Sequence, residues 1–240
     1  MATTTQREDI ESRGVEQVQQ LLEKHHVRLG GIAFTSLGLS NLTLSLCRIA
    51  TVWRFTDCLG TMAPSNGKLS GKPLDATIRT FLSKLSPAIK QAEAGAGMIA
   101  IENHSNSLLN SPESIRRFTT LAESDRIGIA LAPHHLPQDG NLLAGLAGDA
   151  GSAAKFVYAQ QYGKSSKEKL PKADELLQLP GRGSLDFGPL MRQLAEMQFA
   201  GPVEIFMHPV PRGVPILNST AEITAVIQAA RAYLDGLLAS

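Results

Sequence analysis

Apolar and polar positions along this chain switch repeatedly between a helical and an extended period. From Val15 to His26, the residues Val15, Val18, Leu21 and Leu22 recur at helical spacing with charges between them. Leu29–Thr35 then reads as a strand, and Leu42–Trp53 as a helix burying Leu44, Cys47 and Ile49. Cys58–Ala63 is a short strand ended by the turn Pro64-Ser-Asn-Gly67. Leu74–Ala94 carries Ile78, Phe81, Leu82, Leu85 and Ile89 on one helical face. The run 98–104, Met-Ile-Ala-Ile-Glu-Asn-His, has the uninterrupted apolar start of a strand buried on both faces. Its alternation puts Met98, Ala100, Glu102 and His104 on one side. Ser111-Pro112 opens a helix to about Glu123, followed by strand Ile127–Ala132. Gln138–Gly151 is glycine-rich and loosely helical, and Phe156–Gln160 is a strand. The polar loop Lys164–Lys172 and the turn Gly181-Arg-Gly183 lead to helix Phe187–Gln198, with Ser184 or Asp186 as its cap. Strand Val203–His208, the extended loop Pro209–Pro215 and a helix from Thr220 to Leu238 complete the chain.

The order is helix, strand, helix, strand to the end, which predicts an α/β fold of parallel strands joined by right-handed crossovers. The regular repeat favours a TIM-type barrel over an open sheet. Neither a Walker loop nor GxGxxG occurs, so a dinucleotide-binding fold is disfavoured. Six strand-like runs are visible, and a closed eight-stranded barrel needs two more, with no room for them before Val15. The expectation is a barrel domain over 15–240, either shortened or open on one side, preceded by a flexible segment 1–14. Such a barrel exposes strand edges, which calls for cover by a second subunit in a homo-oligomer or by a rearranged N-terminal segment.

Charge and composition narrow the function by exclusion. A formal net charge of +1 gives no basic surface for nucleic acid or membrane. No apolar stretch reaches the ~20 residues of a membrane span, and the polar start lacks the apolar core of a secretory signal. Cys47 and Cys58 form no metal-ligand or redox motif and are read as reduced thiols of a cytoplasmic protein.

Candidate chemistry collects at strand ends. A carboxylate at the end of a buried strand is costly unless paired or bound to a cation, which singles out Glu102. Later runs also end in polar groups: His134 and His135 after Leu131, Gln160 after Tyr158, and Glu204 and His208 on the last strand. In a parallel barrel those ends share one rim, where sites of such folds are built. Of the two adjacent histidines, alternation from Ile129 and Leu131 points His135 to the rim. Asn103 and His104 are supporting polar groups. Arg182 and Arg212, on flanking loops, suit an anionic group. His25 and His26 fit a helix C-terminus, where positive charge is favourable.

The stretches Ile99-Ala-Ile-Glu-Asn-His104, Ile127-Gly-Ile-Ala-Leu-Ala-Pro-His-His-Leu136 and Gly181-Arg-Gly-Ser-Leu-Asp-Phe187, leading through Gly201 to His208-Pro209, carry a family resemblance. Together they resemble the xylose-isomerase-like TIM barrels, which include sugar-phosphate isomerases and epimerases and endonuclease IV. The resemblance implies a divalent metal (Mn2+, Mg2+, Co2+ or Zn2+) at the rim and two glutamates moving a proton between neighbouring carbons of a sugar or polyol. It implies that the missing piece of the barrel is the first two βα units, that Glu102 is a catalytic glutamate and that His135 contacts substrate; beside these, Glu204 is the candidate second catalytic acid and His104 and Arg212 are candidate substrate contacts. The metal would be held by Glu102, His135, Gln160, Glu204 and His208. The pattern departs from the family at three places. Ala132 stands for an aspartate, Tyr158 or Gln160 for a ligand histidine, and Phe206 for the closing glutamate, with Glu204 and His208 two positions to either side. Two functions follow: a metal-assisted sugar isomerase or epimerase working through an enediolate, or a family member with an incomplete metal site that binds a ligand or serves structurally. An apurinic-site nuclease would need more His and Asp ligands than the chain offers.

Overall fold

A computed structural model describes residues 14–26, 31–34, 58–62, 69–95, 97–211 and 213–239. Its strands are β1 (Gly31–Phe34), β2 (Cys58–Met62), β3 (Met98–Glu102), β4 (Ile127–Leu131), β5 (Ala154–Ala159) and β6 (Val203–Ile205). They form one sheet in chain order, and every neighbouring pair is parallel. The helices are α1 (Val15–Lys24), α2 (Gly71–Ala94), α3 (Pro112–Leu121), α4 (Gly140–Ala150), α5 (Gly188–Glu196) and α6 (Thr220–Ala239). From α2 onward each helix packs on the next. A strand order that never reverses, with one layer of successive helices, is the arrangement of a βα-barrel rather than of a doubly wound sheet. The helix expected over 42–53, with Cys47, lies outside the described residues, as does Arg212.

Alternation along each strand separates two faces. Ile99, Ile101, Ile127, Ile129, Leu131, Val157 and Ala159 join the helices in one continuous core. Ala100 and Ala130 face the other way, with Phe156 and Tyr158 against them. In α2, Leu74, Ile78, Phe81, Leu85, Ala88 and Ala92 recur every three or four residues and are buried against the sheet. Burial of a side chain of this size contributes about 1.5–3 kcal/mol, so the helix-facing side holds most of the stability. The opposite side is lined by small residues and two partly exposed aromatics, and that leaves room for a site.

The ends of elements differ from expectation in ways that matter for the site. Strand β3 stops at Glu102, two residues early, and β6 stops at Ile205, so His104 and His208 lie on the loops beyond. Strand β5 starts at Ala154 and absorbs an irregularity between Ile129 and Ala130 of β4. The glycine-rich stretch expected to be loosely helical is the regular helix α4, capped by Asp139, whose Oδ1 accepts from the amides of Asn141 and Leu142. Asp186 rather than Ser184 serves the start of α5, accepting from Gly188 N–H at 2.8 Å. Ser111 caps α3 as expected, in a reciprocal capping box with Ser114. Replacing Ser111 with alanine is expected to cost about 1 kcal/mol of stability in a urea titration.

Candidate active site at the strand ends

Glu102 shares its face of β3 with Ala100 and is three-quarters enclosed. Burial, and then the charge of Glu204, push its carboxyl up to about 7. Glu204 lies open to the same side, yet the protein around its carboxyl also pushes it above the usual range, through loss of solvation. Register relates the two. Glu102 stands beside Ala130, and Ala130 beside Phe156. Glu204 stands beside Tyr158, two residues beyond Phe156. By this register Glu204 lies further toward the rim than Glu102.

Four imidazoles act on one another at this rim, and His135 among them lies beside Glu102. The chain turns through a short 3-10 segment at Pro133–His135, and this turn brings His135 to the site. Strand alternation would have sent it to the helix side with Ile129 and Leu131. His135 Nε2 lies 4.0 Å from Glu102 Oε1, too long for a hydrogen bond. Its ring stacks on His104 at 3.9 Å between centroids and meets His134 edge-on at 5.3 Å. His104 Nδ1 accepts from Asn106 N–H at 3.2 Å, which places the proton of the neutral ring on Nε2. All three rings resist protonation. Burial holds His104 below its ordinary value. His134 is held down to about 4 by burial and then by His208 and His104. His135 is held down to about 3 by burial and then by His104, His134 and His208. Among the described residues the buried Nδ1 atoms of His134 and His135 have no hydrogen-bond partner, an open demand that a ligand can satisfy. Both histidines thus belong to the site, not His135 alone.

Aromatic rings form the wall between β5 and β6. Phe156 packs on Tyr158 at 4.9 Å, Tyr158 on Phe206 at 5.4 Å, and Phe206 on His208 at 5.9 Å. Two of these rings sit where the family pattern has ligands, so sequence comparison marked Tyr158 and Phe206 as losses.

Two polar residues have structural work. Asn103 is fully buried; its Oδ1 accepts from Ala132 N–H at 2.7 Å and its Nδ2 donates to Ala132 O at 3.0 Å. It clips β3 to the exit of β4. Gln161 Oε1 accepts from the amides of Gly181, Arg182 and Gly183 at 2.7, 3.2 and 3.2 Å and so folds that turn onto β5. A side chain at Gly183 would meet Gln161 O at 1.9 Å, which explains the glycine there.

The expected ligand set is not assembled for a metal ion. Among the described residues no three His, Cys, Asp or Glu side chains come together in a way that could hold one. Gln160 donates its amide to Gln178 Oε1 at 2.8 Å. Glu102 and His135 approach to 4.0 Å at the rim, and two donors do not make a resident divalent site. The donor set present therefore does not fit the metal that the resemblance implies.

No helix among the described residues is long and apolar enough to cross a membrane. The fold has many solved counterparts. The IOLI protein with a bound zinc atom superposes with a TM-score of 0.68 at 16% identity, over 98% of this chain and 85% of that one. A D-tagatose 3-epimerase-like protein gives 0.65 at 15% identity, over 94% and 84%. The 3-keto-D-glucoside 4-epimerase YcjR from E. coli gives 0.63 at 16% identity, over 92% and 84%. At these identities the likeness establishes the fold. No curated protein sequence is significantly similar to the chain. The family model described as xylose isomerase-like TIM barrel matches residues 1–232, and the chain belongs to that family.

Proposed function

We propose that this protein is an isomerase or epimerase of a sugar or keto-sugar, moving a proton between neighbouring carbons with Glu102 and Glu204. The observation that carries this reading is the pair itself: two carboxyls at one rim, each held above the ordinary range. Glu102, titrating near 7, exists in both forms at working pH, so it can take a proton from carbon and also give one back. The structural neighbours that act on sugars support the same substrate class.

The step balances as follows. One carboxylate removes the proton on the carbon next to a carbonyl, and the electron pair shifts to make an enediolate with charge on oxygen. The neutral N–H groups of His104 and His135 are placed to donate to that oxygen, as preorganised dipoles in a partly dry site. The other carboxyl, protonated, delivers its proton to carbon: delivery to the same carbon from the opposite face inverts it, and delivery to the former carbonyl carbon shifts the carbonyl as the neighbouring hydroxyl passes its proton to the former carbonyl oxygen. The Tyr158–Phe206 wall presents aromatic faces to the C–H side of a sugar ring. No step is assigned to a metal, because the donors do not assemble one.

The test is incubation with D-tagatose, D-fructose and the corresponding ketose phosphates, with EDTA in one arm and Mn2+ in another, and products read by NMR. A new epimer or isomer in either arm supports the reading. Unchanged ketoses in both arms contradict it and leave a ligand-binding or structural member of the family. Turnover confined to the Mn2+ arm would restore the metal-assisted form.

A further inference from the structure

We propose that Gln178 is a positioning residue that locks Gln160 and His208 into one arrangement, so that the β5 and β6 edges of the site act as a unit. Gln178 lies in the short 3-10 segment Lys172–Gln178, within the long connection from β5 to α5, and is buried. Its Oε1 accepts from His208 N–H at 2.9 Å, and its Nε2 donates to His208 O at 3.0 Å. In an extended chain, the N–H and C=O of one residue face the same neighbour. The Gln178 amide thus takes the place of a strand partner and prolongs the order of β6 past Ile205 to His208.

The two backbone groups of His208 leave no freedom in how the amide is oriented, since one must meet an acceptor and the other a donor. That orientation propagates. The Gln178 oxygen fixed by His208 also receives Gln160 Nε2 at 2.8 Å, so Gln160 must present its amino side there. Nε2 of Gln178 donates as well to Glu175 O at 3.1 Å, and Gln178 O accepts from Gln161 N–H at 2.7 Å.

The segment that carries Gln178 is itself anchored. Glu175 is almost fully buried, and Val210 N–H donates to its Oε1. Its Oε2 lies 2.6 Å from Lys172 Nζ, paired by charge, while Lys172 also donates to the carbonyls of Val214 and Pro215 at 3.2 and 3.0 Å. The connection after β5 therefore holds the loop after β6 at His208, at Val210 and at Val214–Pro215. The side chain of His208 in turn packs on Phe206 of the aromatic wall.

The test compares isotope-labelled full-length protein with Gln178→Ala, Gln178→Glu and Gln160→Leu. In Gln178→Ala, the Gln160 side-chain amide and the His208 backbone amide resonances move together. In Gln160→Leu, the His208 amide also moves, although residue 160 does not touch it. A second arm, which rests on the proposed function, follows D-tagatose turnover. Gln178→Ala lowers kcat by about tenfold and changes KM by less than about threefold. In Gln178→Glu the activity relative to the unaltered protein rises as pH is lowered, because a protonated carboxyl donates and accepts as the amide does. A structural filler would give Gln178→Ala and Gln178→Glu the same pH-independent deficit, and that result overturns the proposal. If no ketose turns over, the functional reading fails and the resonances alone decide. A His208 amide unmoved in all three variants then sinks the coupling.

Discussion

Replacing Glu102 with glutamine is expected to stabilise the fold by about 3 kcal/mol at pH 8 and to leave it unchanged near pH 4. The carboxyl holds its proton to about 7 in the folded chain, against an ordinary value of 4.5. Below 4.5 both states are protonated, and the group contributes nothing. Between 4.5 and 7 the unfolded chain ionises while the folded chain does not, so stability falls as pH rises. Above 7 the whole cost is present. An uncharged amide of the same shape removes that cost. The same substitution removes the proton carrier, and a general base of this kind contributes on the order of a thousandfold to rate. Urea titrations at several pH values, beside turnover of a ketose, check both halves. Equal stability of the two proteins at pH 8 would mean that Glu102 is better solvated or better paired than the structure indicates.

His135→Gln is expected to act at the other end of the scale. Its imidazole resists protonation down to about 3, whereas the unfolded chain takes that proton near 6.5. Stability from this group is full above 6.5 and is lost as pH falls toward 3. A glutamine carries no such penalty, so the variant should gain on the unaltered protein by about 3 kcal/mol between pH 6.5 and 4, whatever fixed cost its altered packing imposes. The measurement is the pH dependence of the difference in unfolding free energy. A difference that stays flat across this range would contradict the assignment of a neutral, buried ring. In the unaltered protein the two effects oppose one another over pH 4.5–6.5. Glu102 favours the folded state as pH falls, and His134 and His135 disfavour it. The parent curve should accordingly be flatter than that of Glu102→Gln, where both histidines act unopposed, and steeper than that of His135→Gln, where Glu102 offsets His134.

Much of the architecture was legible because it rests on period. Runs such as Ile99–Ile101 and Ile127–Leu131 have one reading in a parallel sheet, and the 3.6-residue face of α2 has one reading as a covering helix. Glu102 was legible for a related reason, since an acid closing an apolar strand has few structural explanations. His135 was found by an argument that the structure does not follow. Alternation does not survive Pro133, and the 3-10 turn there carries the ring inward. Gln160 was read as an oxygen donor to a cation; the contact the sequence did not show is that of its amino group, which donates to Gln178 Oε1. The Lys172–Gln178 segment was not legible at all. Its buried residues Glu175 and Gln178 are polar and follow neither period, so nothing local separates them from a solvated loop. The same holds for Tyr158 and Phe206, whose role depends on strand register and not on sequence spacing.

The central claim is that Glu102 and Glu204 transfer a proton to and from carbon, and deuterium wash-in tests it most directly. The protein is incubated with D-tagatose in D2O, and the hydrogen on the carbon beside the carbonyl is followed by NMR, with Glu102→Gln alongside. The account predicts deuterium entering at that carbon with the unaltered protein, and entry slowed by about a thousandfold in the variant. Wash-in at the same rate in both proteins, or in neither above the rate in buffer, would contradict it.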